Sequence, residues 1–201
     1  MILLLAIEQH LIFSHPVYPL IIRKTGWSEK EARTFMKVFF KKIDPEMVDT
    51  DEKNEMLSYW ASYLKSAGLV SPSRNARVCI ALYQSVEVGY EPKRVNEILS
   101  LMVKKNFSYR QMIKLLKEMR FLVENFGYYP DDLARYAVSL LRSSAPPKQV
   151  IKKFRKGVKN LKVERASGKG AQGYDSIPFF GSGKLPTSDE APDAYIFEDL
   201  E

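Results

Sequence analysis

The chain has 201 residues, 45% of them apolar, 12% aromatic and 27% charged, which suits one domain with a sizeable core and excludes a wholly disordered chain. Its 31 Lys and Arg against 24 Asp and Glu give a formal charge of +7, a mild excess that by itself demands no polyanionic partner. The one cysteine, Cys79, lies in the apolar run VCIALY, which excludes an intrachain disulfide and points to a small buried apolar role.

The chain opens on MILLLAIEQHLIFSHPVYPLIIRK. Glu8, Gln9 and His10 interrupt this apolar run well short of the roughly 20 residues a membrane span needs, so no transmembrane helix is expected. No Lys or Arg precedes the run and no small-residue cleavage motif follows it, which argues against a secretory signal. The stretch reads as a core helix over 2–14, with a signal remnant or membrane-surface segment as the alternative. The first reading favours a cytoplasmic location and the second an exported or envelope-associated one. The only histidines, His10 and His15, fall on this helix and directly before Pro16, positions that suit packing or a turn better than metal ligation.

Further along, apolar spacing and breakers together predict helices over 28–43, 46–66, 73–88, 92–105, 109–126, 130–143 and 147–160, and no strand. The starts carry their own signals. Ser28 stands three residues before Glu31 as a capping box, and Pro92 and Pro130 occupy first-turn positions where a missing N–H costs nothing. The stops are Gly68, Gly89, Asn106 and Gly127, residue types that tolerate the left-handed backbone ending a helix. Successive joints from 68 to the Ala145–Pro146 break are 21, 17, 21 and 18 residues apart, so every second joint recurs after 38 or 39.

That offset also aligns content. GYEPKRVNEILSLMVKKNFSYRQMIK laid on GYYPDDLARYAVSLLRSSAPPKQVIK pairs Gly89 with Gly127, Pro92 with Pro130, Val95 with Leu133, Met102 with Leu140, Val103 with Leu141 and Ile113 with Ile151. The pattern reads as an internal repeat of helical hairpins of about 38 residues, and Val95, Met102, Leu133 and Leu140 are expected in the core. The Gly-aromatic-x-Pro joints then read as punctuation: glycine releases one helix, the aromatic covers the turn and proline starts the next. The joint resembles the turns of pentatricopeptide repeats, but helix pattern and length do not follow, and the Trp, Leu-Gly and Tyr pattern of tetratricopeptide repeats is absent. No family is named.

The last helical stretch, PPKQVIKKFRKGVKNLKVER, holds Lys148, Lys152, Lys153, Arg155, Lys156, Lys159, Lys162 and Arg165 against Glu164. These eight cations are the candidate partner-binding residues. From Ala166 the chain becomes rich in Gly, Ser and Pro, with two lysines against seven acids, a net −5 that leaves +12 for 1–165. Such a composition does not fold by itself. The tail is therefore expected to be disordered, as a solubilising terminus, a cover for the basic helix, or a peptide ligand anchored by Tyr195, Phe197 and Leu200.

Motifs for chemistry fail on inspection. FFGSGKLP lacks the distal glycine and the Ser or Thr of a phosphate loop, having Pro178 and Leu185 there instead. DTDEKNEMLSYW begins like a calcium loop but places Lys53 at the third ligand and Trp60 where a bidentate Glu belongs. The helix-turn-helix spacing of Met102, Asn106, Ser108 and Met112 recurs at Ser85, Gly89, Glu91 and Val95, so it marks tight hairpins rather than DNA reading. Asp131 and Asp132 complement a helix N-terminus.

The sequence therefore predicts an all-α domain over 1–165 of stacked helical hairpins, either a short solenoid or an irregular bundle, followed by an acidic tail over 166–201. No catalytic residue, cofactor or metal is expected. The expected role is a non-catalytic interaction module for another protein. The alternative is a basic module for nucleic acid or an anionic membrane surface, acting through residues 148–165.

Overall fold

The computed structural model describes residues 13–166. Residues 2–12 of the helix expected over 2–14, and the tail from 167 onward with Tyr195, Phe197 and Leu200, lie outside the described residues. Within them the chain is helical, with no strand. The α-helices are α1 (Val17–Thr25), α2 (Glu29–Phe40), α3 (Asp51–Ser66), α4 (Pro72–Glu87), α5 (Pro92–Lys104), α6 (Tyr109–Phe126), α7 (Pro130–Arg142) and α8 (Pro147–Ala166), with a 3-10 turn at Pro45–Val48 between α2 and α3.

Local chemistry sets most of these bounds. Ser28 and Ser108 each accept the backbone N–H three residues on, while Glu31 and Gln111 return the bond to the cap residue's N–H, so both starts are complete capping boxes. Pro72, Pro92, Pro130 and Pro147 each open a helix. Two expectations need correction. The helix expected over 46–66 breaks into the 3-10 turn and α3, because Asp44 caps Glu46 and Thr50 separately caps Lys53. Helix α1 has no counterpart among the expected elements, which leave the stretch around Pro16 and Pro19 unassigned. The two prolines fall at its cap and within its first turn, where backbone N–H groups have no intrahelical partner to lose.

The stops share one geometry. Gly68, Gly89, Asn106 and Gly127 all have positive φ. The residue after each of the first three donates its N–H five residues back, Leu69 to Leu64, Tyr90 to Ser85 and Phe107 to Met102, the closing bond of a Schellman motif. The aromatic after the glycine does more than cover the turn. Tyr90 and Tyr128 are only 2% and 3% exposed, and their hydroxyls donate to the carbonyls of Met119 on α6 and Val158 on α8. Each joint is thereby tied to the helix two positions farther along.

Most helices two apart pack together, α1 on α3, α2 on α4, α4 on α6, α5 on α7 and α6 on α8, whereas α3 meets α5 through side-chain hydrogen bonds. The chain thus forms stacked hairpins in two layers, odd-numbered helices in one and even-numbered in the other. Hydrogen bonds tie the layers in register. Trp60 donates to Asn96, 36 residues on, and Tyr63 to Ser100, 37 residues on, joining α3 to α5. In the other layer Arg120 bonds Gln84, and Arg155 bonds Glu118. One continuous core runs between the layers, from Val17 and Ile21 through Trp60, Leu82, Ile98 and Leu115 to Phe154 and Val158. At its far end Gly157 of α8 lies so close to Tyr136 of α7 that an added Cβ would overlap the ring, and the Tyr136 hydroxyl donates to the Lys153 carbonyl at 3.2 Å.

Val95, Met102 and Leu133 are buried as expected, but Leu140 is only half-buried and its neighbour Leu141 takes the core position. On α7 Leu133, Ala137 and Leu141 form a buried stripe beside Ala134 and Val138, whereas on α5 Val95, Leu99 and Met102 form one beside Ile98. The steps of four and four against four and three rotate the buried face by one residue by the last turn. Leu141→Ala is therefore expected to lower stability by about 2–5 kcal/mol and Leu140→Ala by clearly less, read from paired thermal melts.

At the joints, Gly127 has φ of 62° with open space beside it, whereas Gly89 has φ of 101° and its added Cβ would lie 3.4 Å from the Pro130 ring. Gly127→Ala should destabilise by about 1 kcal/mol and Gly89→Ala by more, despite alanine's better helix propensity. Urea midpoints give the sign, and stabilisation by both would contradict the joint geometry.

Candidate polyanion-binding face

Helix α8 divides its residues by period. Val150, Ile151, Phe154 and Val158 are buried against α6 and α7, while Lys148, Lys152, Lys153, Arg155 and Lys156 are exposed. The backbone continues helical through the positions of Lys159, Lys162 and Arg165, whose side chains lie outside the described ones. Arg155 is engaged by Glu118 of α6. So α8 presents its apolar stripe inward and a run of lysines outward, as an amphipathic docking helix does.

Three arginines outside the sequence-derived candidates lie in the same layer. Arg74 and Arg77 of α4 and Arg110 of α6, with Ser108, Tyr109 and Ile113, line a recess of about 430 Å³. The Arg74 guanidinium stands 5.8 Å from the centre of the Tyr109 ring. The Tyr109 hydroxyl accepts the backbone N–H of Ser71 at 3.3 Å, which fixes the ring at the mouth of α4. Partial burial raises the Tyr109 pKa, while the Ser71 bond and the Arg74 charge act the other way. Among the described residues no carboxylate stands within ion-pair distance of Arg74, Arg77 or Arg110.

Bonds within this layer and between successive joints bring the starts of α4, α6 and α8 to one side. Ser71–Tyr109 joins the starts of α4 and α6, and Lys105 reaches the carbonyls of Ser143 and Ala145 just ahead of α8. Helices α4, α6 and α8 thus run in the same direction with their N-terminal ends along one edge. None of the three has an acidic residue in its first turn, whereas α2, α3 and α7 do. The positive ends of three helix dipoles at that edge are left without side-chain acids. A signal for this existed in the sequence. Arg74, Arg110 and Lys148 fall at nearly the same offset as the joints, as do Arg77, Lys114 and Lys152, but no run of charge marks them.

The remaining candidates are structural. Cys79 is fully buried, and burial pushes its thiol pKa up. Asp131 pairs with Arg135 at 2.6 Å and Arg94 at 3.9 Å. Among the described residues no group of three His, Cys, Asp or Glu could hold a metal ion, and no helix is long and apolar enough to cross a membrane. No family model, curated protein or solved structure matches the chain.

His15 is 9% exposed. Its Nε2 donates to the Pro45 carbonyl and its Nδ1 accepts the Val17 N–H, both at 3.2 Å, so the neutral ring with hydrogen on Nε2 ties the start of α1 to the 3-10 turn. Burial lowers its pKa below 6.5, partly offset by the Pro45 bond and the Asp49 charge. The unfolded chain therefore takes up this proton first as pH falls. The stability His15 contributes is complete above about pH 6.5 and is lost as pH falls through the lowered folded pKa. Melting temperatures between neutral and mildly acid pH should fall less steeply in His15→Gln than in the parent chain.

Proposed function

We propose that this chain is a non-catalytic interaction module, built as a repeat of about 38 residues, that binds polyanions along the α4–α6–α8 layer. The observation carrying the reading is the recess of three arginines with no carboxylate partner among the described residues, on the same layer as the exposed lysines of α8. Lysines and arginines on a solvated face normally alternate with acids, as on α3 and α7, where Asp51, Glu52, Glu55, Asp131 and Asp132 stand among the cations. The sequence of α8 holds eight cations and one acid, Glu164, and Arg155 pairs with Glu118 of α6. A line of like charge repels itself, and a bound polyanion relieves that repulsion and releases its own condensed counterions. An acidic protein surface offers the same sign of charge without that counterion release, and an apolar protein partner would not respond to salt.

Fluorescence anisotropy with a labelled nucleic-acid strand tests this. If about four phosphates are neutralised, affinity should fall about 50-fold between about 50 and 200 mM salt. Reversing Lys148, Lys152 and Lys156 to Glu should weaken binding at least tenfold and flatten the salt dependence. These side chains are exposed, so the melt should be unchanged. Binding indifferent to salt and to the reversal would overturn the reading.

A further inference from the structure

We propose that the recess between α4 and α6 is a nucleotide subsite for single-stranded nucleic acid, in which Arg77 and Arg110 hold a phosphate and the Arg74–Tyr109 stack receives a base. This rests on the polyanion reading and goes beyond it by giving one unit of the polymer a defined seat. The recess, about 430 Å³ and partly open to solvent, has room for one nucleotide unit of a longer strand.

Its lining matches the two chemistries of a nucleotide. Guanidinium groups present planar forks of donors that meet phosphate oxygens two at a time, which a lysine ammonium does not. Arg77 and Arg110 come from different helices and both line the recess, so a phosphate there would be gripped from two sides. A base needs a flat π or guanidinium surface. The Arg74 guanidinium over the Tyr109 ring supplies one, and the Ser71 N–H holds the ring in place before any ligand arrives. Ile113 adds an apolar wall. The preorganised ring spares part of the ordering cost that binding otherwise carries.

The same features weigh against the other polyanions. Tyr109 is half-buried, so a bilayer surface meets the exposed lysines of α8 and leaves the ring unused. A duplex keeps its bases stacked inside, whereas a single strand can splay one out onto an aromatic. From Arg110 the strand can continue to Lys148 and Lys152, which the bonds from Lys105 to Ser143 and Ala145 bring alongside.

The test uses the full chain and three labelled probes: short oligo-dT, dextran sulfate, which has charge but no bases, and phosphatidylserine-containing vesicles. Tyr109→Leu should weaken oligo-dT about tenfold, the loss of one stacked base, and leave dextran sulfate unchanged. Tyr109→Phe keeps the ring but loses the bond from the Ser71 N–H, so it should weaken oligo-dT less than Tyr109→Leu does. Arg77→Gln combined with Arg110→Gln should weaken both soluble probes. Equal loss of both probes in Tyr109→Leu, or loss of neither, would overturn the subsite, while the lysine reversal on α8 reports separately on the polyanion reading. Binding to vesicles that depends on Tyr109 and exceeds binding to oligo-dT would overturn it in favour of a lipid headgroup. Should Tyr109→Leu fail to fold, Arg74→Lys at this exposed position, which keeps the charge but removes the flat guanidinium, takes its place. The same selective loss of oligo-dT is expected from it, and its absence overturns the subsite.

Discussion

A left-handed backbone at Gly68, Gly89, Asn106 and Gly127 lets each helix stop and the chain reverse within a few residues. The stacking of the whole molecule depends on that reversal. Short reversals make neighbours antiparallel, so helices two apart run in the same direction and can stack side by side. Stacking buries the faces of α4 and α6 that neither could bury alone, because a single hairpin has only one partner for each apolar stripe. The buried aromatic after the glycine stops adds a second constraint. Through Tyr90 and Tyr128 a turn is bonded to the carbonyl of a helix two positions on, so the direction of the chain and the register of the stack are fixed together.

Register then decides electrostatics. In the layer of α3, α5 and α7, acids and cations meet: Arg142 bonds Glu97, Arg94 meets Glu97 and Asp131, and Arg135 meets Asp131. In the layer of α4, α6 and α8, Arg155 finds Glu118, but the arginines at the starts of α4 and α6 find no carboxylate among the described residues. Arg120 also meets Glu124 on α6, and because surface ion pairs contribute little to stability, folding gives no strong reason for or against partners at Arg74, Arg77 and Arg110. Binding does, since exposed charge of one sign is an asset only when something of the opposite sign arrives.

The two kinds of cation in that layer would act differently. The lysines of α8 are exposed point charges on flexible stems, suited to attracting a polyanion over about 8 Å at physiological ionic strength. The arginines line a recess and one of them is stacked on a held aromatic ring, a geometry that orients a bound group rather than merely attracting it. On the proposed reading, long-range attraction and local orientation would fall to neighbouring helices.

Helix ends were legible in the sequence because their causes are local. The Ser28 and Ser108 caps, the prolines at 92 and 130 and the four stops each depend on residues within about one helical turn. The basic face of α8 was legible for the same reason, as a run on one helix. Helix α1 was not, since Pro16 and Pro19 suit a helix only at its cap and first turn. Leu140 stood in for Leu141 because a fixed offset cannot register a one-residue rotation of a buried face. What only the tertiary structure decided is that Arg74 and Arg77 meet Tyr109 and Arg110 around one recess. No local rule contains that meeting: the groups lie more than thirty residues apart, and their adjacency comes from which helices share a layer and in what register they pack. The sequence by itself determined where the helices end and which face of α8 is charged, because hydrogen bonding and periodicity act over a few residues. The layer they share was set by packing across the whole chain.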